Sequence, residues 1–160
     1  MLCKQTIIVA APLGSGTSRV AALLKEQGVF MGSHPNTSHE DLDFAYPFFR
    51  QSMLEAVAER NKSYSVWGWK FPFMRNWFDK VFPYLVNPCF IYCQRSHSER
   101  ALLKPEKYDF ASIKEDYREE TIYWTKFFLE HNEVPLLIID FNMKDAEIMQ
   151  LLQEFIQRKY

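Results

Sequence analysis

The sequence predicts a three-layer α/β/α sandwich with a central parallel sheet of about four strands. Three observations indicate it: short β-branched runs alternate with helical patterns, the first run ends in a glycine-rich turn, and the last helix has one apolar face. Right-handed crossovers between such strands place helices on both faces of the sheet. With 160 residues, 48% of them hydrophobic, the chain is expected to form a single domain over residues 1–160.

Four segments are predicted to form strands. The first, Gln5–Ala10, is a nearly continuous β-branched run, which is typical of a central strand covered on both faces. The other three are Val66–Lys70, Phe90–Gln94 and Leu136–Asp140. Ligands of parallel sheets bind at the carboxyl ends of the strands. The turn after Ala10, Lys70 and Arg95 all lie at such ends.

Apolar residues at helical spacing predict five helices. The first follows the glycine-rich turn and ends at Gly28, and the second begins at Pro47. A third covers Met74–Leu85 and ends at the Asn87-Pro88 breaker, and a fourth follows a capping box at Ser112 and Glu115. The apolar stripe of the fifth consists of Ile148, Leu151, Leu152, Phe155 and Ile156.

The turn from Ala11 to Ser18 (APLGSGTS) predicts an anion site. A helix N terminus presents unpaired N–H groups, and glycines let an anion approach the backbone closely. The turn departs from the Walker A pattern twice, since Ala11 replaces the first glycine and Thr17 stands where the lysine belongs. An ordinary ATP or GTP kinase is therefore disfavoured.

The sequence resembles the sulfotransferase family, whose fold is P-loop-like. Four segments carry the resemblance in the family's order beside Ser15-Gly-Thr-Ser18. They are Gly28-Val-Phe-Met-Gly32, Trp67-Gly-Trp-Lys-Phe-Pro72, Phe90-Ile-Tyr-Cys-Gln-Arg95 and Pro135-Leu-Leu-Ile-Ile-Asp-Phe141. The resemblance implies transfer of a sulfuryl group from the co-substrate 3'-phosphoadenosine 5'-phosphosulfate to a hydroxyl or amine of a small molecule or glycan, without a metal.

The resemblance also implies roles for single residues. The amides and hydroxyls of Ser15 to Ser18 would hold the 5'-phosphosulfate, Lys70 would stabilise charge on the bridging oxygen, and Arg95 would bind the 3'-phosphate. The expected cofactor-binding set is Leu13, Gly14, Ser15, Gly16, Thr17, Ser18, Arg19 and Arg95. Arg19 enters this set as a substitute, because Gly14 stands where the family carries a basic residue.

An acceptor hydroxyl needs a general base within hydrogen-bond reach. The resemblance implies two places for it: members that use histidine carry it at the position of Pro72 here, and members that use glutamate carry it in the segment that corresponds to the polar loop over residues 32–46. Glu40 is the first choice and His39 the second. A solvated surface role for both residues stays open, as acidic residues before a helix often only cap it.

Two further interpretations stay open beside sulfuryl transfer. One is a nucleotide-binding module of the same fold without catalysis, and the other is a nucleotide or nucleoside kinase with a degenerate loop. The charge of −1 predicts no binding to nucleic acid or to an anionic membrane. Apolar runs of only strand length and an N terminus without the apolar core of a signal peptide predict a cytoplasmic protein. The three cysteines lack the spacing of a disulfide framework or a metal site and are expected in the core; a homo-oligomer is left open.

Overall fold

A computed structural model describes residues 3–32, 39–44, 50–71, 74–96 and 110–158. Its sheet has the strands β1 (Gln5–Ala10), β2 (Val66–Lys70), β3 (Pro88–Gln94) and β4 (Leu136–Asp140). All neighbouring pairs are parallel, in the order β2-β1-β3-β4. The buried run of β1 is therefore central, and the predicted fold class is confirmed.

Helices cover both faces of this sheet. They are α1 (Thr17–Glu26), α2 (Arg50–Ser63), α3 (Phe110–Glu130) and α4 (Asp145–Gln157). Helices α1 and α4 pack on one face, while α2 and α3 pack on the other. Among the described residues, none of the helices combines the length and apolar character needed to cross a membrane.

The strands divide the core into two layers because successive side chains point to opposite faces. Ile7 and Val9 of β1 contact the layer of α1 and α4, whereas Ile8 and Ala10 contact the layer of α2 and α3. The second layer is rich in aromatic rings that stack or meet edge to face, including Trp67, Trp69, Phe78, Phe90 and Trp124. Packing in this layer accounts for much of the high aromatic content.

The prediction of one amphipathic helix over Met74–Leu85 is wrong. This segment forms three short 3-10 helices, Met74–Asn76, Phe78–Lys80 and Phe82–Tyr84. Pro83 has no N–H to donate to the carbonyl four residues earlier, and the backbone of Trp77 leaves the helical region at φ −146°. The segment still buries Trp77, Phe78 and Val81, which explains the helix-like apolar spacing.

The predicted boundaries of one strand and two helices differ from the structure or lie outside the described residues. Strand β3 begins at Pro88, which was expected to be a breaker; a first strand position tolerates the missing N–H. Helix α3 begins at Phe110, so Ser112 lies inside the helix and is not its cap. The predicted helix start at Pro47 lies outside the described residues.

Candidate phosphate-binding site

A cavity of about 260 Å³ lies at the carboxyl ends of β1 and β2, beside the first turn of α1. The glycine-rich turn forms one wall, and residues from the end of β2 and from the 39–44 segment form the other. The cavity is lined by Val9, Ala11, Pro12, Leu13, Gly14, Gly16, Thr17, Ser18, Glu40, Lys70 and Phe71. The structure thus brings together the turn, Lys70 and Glu40, which are separated by 22 to 59 residues in sequence.

The backbone of the turn is left-handed at Gly14 (φ 79°) and at Gly16 (φ 90°). Residues that carry a side chain rarely adopt this backbone conformation. In addition, a Cβ at Gly16 would lie 2.9 Å from Cδ2 of Phe141. Gly16 precedes α1, and among the described residues no side chain makes the hydrogen bond that usually caps a helix there. The first turn of α1 therefore offers positive partial charge next to the cavity.

Lys70 contributes a positively charged side chain to the lining of the cavity. Its side chain is 8% exposed, and its Nζ donates hydrogen bonds to Ser18 Oγ at 3.3 Å and to Glu40 Oε1 at 3.1 Å. Burial lowers the pKa of Lys70, and the charge of Glu40 opposes this shift. An anion bound in the cavity would compensate the buried ammonium further.

The 39–44 segment crosses the end of β2 and carries both candidate bases. The N–H of Asp41 donates to the carbonyl of Lys70 at 3.2 Å, which places Glu40 beside the lysine side chain. His39 has a φ of 55°, and burial, with Lys25 and Lys70 nearby, lowers its pKa. Glu40 thus lines the cavity, whereas His39 lies next to it in the chain.

Arg19 and Arg95 lie close to the turn, but the hydrogen bonds of their guanidinium groups go to backbone carbonyls and a carboxylate of the protein, and neither residue lines the cavity. Arg19 donates to the carbonyls of Phe141 and Met143, at 2.9 and 2.7 Å, and forms an ion pair with Asp145. Arg95 donates to the carbonyl of Gly14 at 3.3 Å, and its Cζ lies 3.7 Å from the centre of the Phe141 ring. Both guanidinium groups therefore support the turn and the segment after β4.

Arg60 and Phe141 were not among the site residues predicted from the sequence. Arg60 forms a buried ion pair with Asp41, whose side chain has no exposure. A signal for it existed, because Met53, Val57 and Arg60 follow the i, i+4, i+7 spacing of one helix face, which places an arginine in the core. Phe141 gave no such signal, since only the approach of β4 to the turn puts its ring against Gly16.

No family model and no curated protein matches this sequence. Solved structures do share its fold. A candidate kinase from Chloroflexus aurantiacus aligns over all of both chains with 13% identity and a TM-score of 0.61. A sugar kinase from Janibacter sp. covers 96% of this chain and 94% of its own, with 10% identity and a TM-score of 0.59. The shikimate kinase of Aquifex aeolicus covers 95% and 96%, with 10% identity and a TM-score of 0.56.

These comparisons overturn the expected sulfotransferase family and with it the sulfuryl-transfer function. The three neighbours described above are kinases, and no family model supports the short motifs that suggested the resemblance. Ser-Gly-Thr-Ser and a strand-end lysine are too short to separate families that use the same strand, turn and helix. The roles given to 3'-phosphoadenosine 5'-phosphosulfate and to a 3'-phosphate contact at Arg95 lose their basis. At 10–13% identity the likeness shows the fold alone: this chain shares the α/β fold of these three structures.

Proposed function

We propose that this chain binds the phosphates of a nucleoside triphosphate in the cavity beside α1 and transfers a phosphoryl group to the hydroxyl of a small molecule. The observation that carries the proposal is the Lys70 ammonium, 3.3 Å from Ser18 Oγ in a cavity lined by the glycine-rich turn. The kinases with the same fold support the reaction class.

Lys70 compensates the main defect of the turn. The turn has Thr17 at the position of the Walker A lysine, so it lacks a cation of its own for the outer phosphates. Lys70 brings a buried ammonium to the same cavity from the neighbouring strand. A cation on β2 can bind phosphate oxygens in the way that a lysine of the turn would.

Phosphoryl transfer depends mainly on positioning and charge stabilisation. The N–H groups in the first turn of α1 and the Lys70 ammonium would bind the phosphates and neutralise their charge. Glu40 would take the proton of the acceptor hydroxyl as the new O–P bond forms and the bond to the leaving nucleoside diphosphate breaks. Each of these groups lines the cavity.

Phosphoryl transfer from a nucleoside triphosphate generally uses Mg²⁺, whose ligands are largely phosphate oxygens and waters. Bound Mg²⁺ would neutralise charge on the phosphates. Among the described residues, no cluster of three or more His, Cys, Asp or Glu side chains forms a metal site by itself.

The test measures the thermal stability of the protein with ATP or GTP, with and without Mg²⁺. A ligand that binds only the folded state raises the unfolding temperature. A charged hydrogen bond contributes about 1.5–3 kcal/mol, so Lys70→Ala should weaken nucleotide binding about 10- to 100-fold. Lys114→Ala, an exposed lysine of α3, is the matched control and should bind like the wild type. Equal stabilisation of Lys70→Ala and wild type, or none by either nucleotide, would contradict the proposal.

A second candidate is a nucleotide-binding protein without transfer activity. It is favoured by the departures of the turn from the Walker A pattern at Ala11 and Thr17. Release of nucleoside diphosphate in the presence of a panel of alcohols separates the two candidates. Nucleotide binding without any such release would favour the second.

A further inference from the structure

Below the cavity, Arg60 of α2 and Asp41 form a buried ion pair. Their side chains are 5% and 0% exposed. Nη1 of Arg60 donates to Oδ2 of Asp41 at 2.5 Å, and Nη2 donates to Oδ1 at 3.1 Å. This two-pronged contact fixes the direction of the carboxylate as well as its distance.

Aromatic rings hold the arginine from its other sides. Its Cζ lies 4.8 Å from the ring centre of Phe44 and 5.4 Å from those of Phe30 and Trp67. These contacts suit a guanidinium, which stacks on rings better than an ammonium does. Arg60 is therefore a rigid anchor in the aromatic layer of the core.

The anchored Asp41 is joined to Lys70 by the main chain. Its N–H donates to the Lys70 carbonyl at 3.2 Å, and its Oδ1 accepts from the N–H of Asp43 at 3.2 Å. Glu40 is the next residue in the chain, and its Oε1 accepts from Lys70 Nζ at 3.1 Å. Adjacent residues 40 and 41 thus contact the side chain and the main chain of the same lysine.

We propose that Asp41 and Arg60 are positioning residues that fix Glu40 against Lys70 and so orient the ammonium towards the cavity. The pair acts through Glu40 and touches no ligand. The inference rests on the proposed function in one respect, namely that the cavity binds phosphates. The orientation of Lys70 itself does not require a ligand.

The titration of Lys70 reports this orientation directly. Burial lowers the pKa of Lys70, and Glu40 raises it by charge and by hydrogen bonding. Within the part of the chain that the structure describes, Cys93 and His39 also interact with it. Burial raises the pKa of Cys93 to about 12, so its thiol is neutral at neutral pH. Loss of the Glu40 contact should therefore lower the pKa of Lys70 further.

The experiment follows the ¹⁵N resonance of the Lys70 ammonium against pH, without ligand, in the whole chain. Asp41→Asn and Glu40→Gln should each lower the midpoint by about half a unit or more, and the double variant by no more than Glu40→Gln alone. Glu120→Gln is the matched control, because Glu120 of α3 is also a buried carboxylate that pairs with an arginine, Arg75. It should lose stability but keep the wild-type midpoint.

A wild-type midpoint in Asp41→Asn, or an additive shift in the double variant, would overturn the positioning role. If Asp41→Asn does not fold, Arg60→Lys replaces it, since the lysine keeps the charge but not the two-pronged contact. Binding of inorganic tripolyphosphate to the wild type is measured in parallel. Absence of that binding refutes the proposed function, whereas the Lys70 midpoints alone decide the positioning role.

Discussion

Gly16 is the residue at which the turn is most constrained. It combines a left-handed backbone with close contact to the ring of Phe141, which follows β4 at the same carboxyl edge of the sheet. Gly28, at the end of α1, has a similar φ of 82° but open space around it. The two glycines therefore allow backbone strain to be separated from the contact with Phe141.

We predict that Gly16→Ala lowers the free energy of unfolding by about 2–3 kcal/mol and Gly28→Ala by about 1 kcal/mol. Both variants place a side chain at positive φ, but only the first brings a Cβ within 2.9 Å of a ring carbon. Urea denaturation of the three proteins measures the difference. Equal losses would show that the Phe141 ring moves aside without cost.

Among the elements, α1 depends on its tie to the segment between β4 and α4. Arg19 makes this tie from the first turn of α1, where a cation is unfavourable next to the positive end of the helix. The carbonyls of Phe141 and Met143 and the carboxylate of Asp145 compensate that cost. The geometry therefore favours a structural role over the phosphate contact expected from the sequence.

Replacement of Arg19 by methionine tests which role applies. We expect Arg19→Met to lower the free energy of unfolding by about 1–2 kcal/mol, as the side chain is 31% exposed and solvent weakens its bonds. The affinity for tripolyphosphate, measured by calorimetry, should stay within about twofold of the wild type. A tenfold loss of affinity with unchanged stability would instead restore the phosphate contact.

At the scale of the whole molecule, two thiols in the core control the stability at alkaline pH. Burial raises the pKa of Cys89 and of Cys93 to about 12. An unfolded thiol loses its proton near pH 9, so the unfolded state binds fewer protons between these values. Stability therefore falls as the pH rises through this window.

From about pH 8 to about pH 10.5, each thiol should remove about 2 kcal/mol from the free energy of unfolding. The Cys89→Ala, Cys93→Ala double variant should be less stable at about pH 8 but lose less over this interval. Urea denaturation at both pH values measures the two slopes, and contributions from Lys70 and Tyr123 cancel in the comparison. Parallel slopes would show that the thiols titrate normally in the folded protein.

Much of the architecture could be predicted because strand and helix patterns depend on local burial. The limits of β1, β2 and β4 agree with the sequence pattern. The pattern is clearest for β1, because a β-branched run covered on both faces has few alternatives. The 74–84 segment could not be predicted in this way. Its apolar spacing suits both one α-helix and three 3-10 turns, and Pro83 decides between them.

The three-layer fold, the position of the glycine-rich turn and the placing of Lys70 at a strand end could all be predicted from the amino-acid sequence. These follow from hydrophobic period, turn chemistry and the rule that parallel strands end at one edge. Only the tertiary structure decided that Lys70 contacts Ser18 and Glu40, that Arg60 is buried beneath Asp41, and that Phe141 covers Gly16. Such contacts join residues distant in the chain, and their geometry depends on packing that no local pattern encodes.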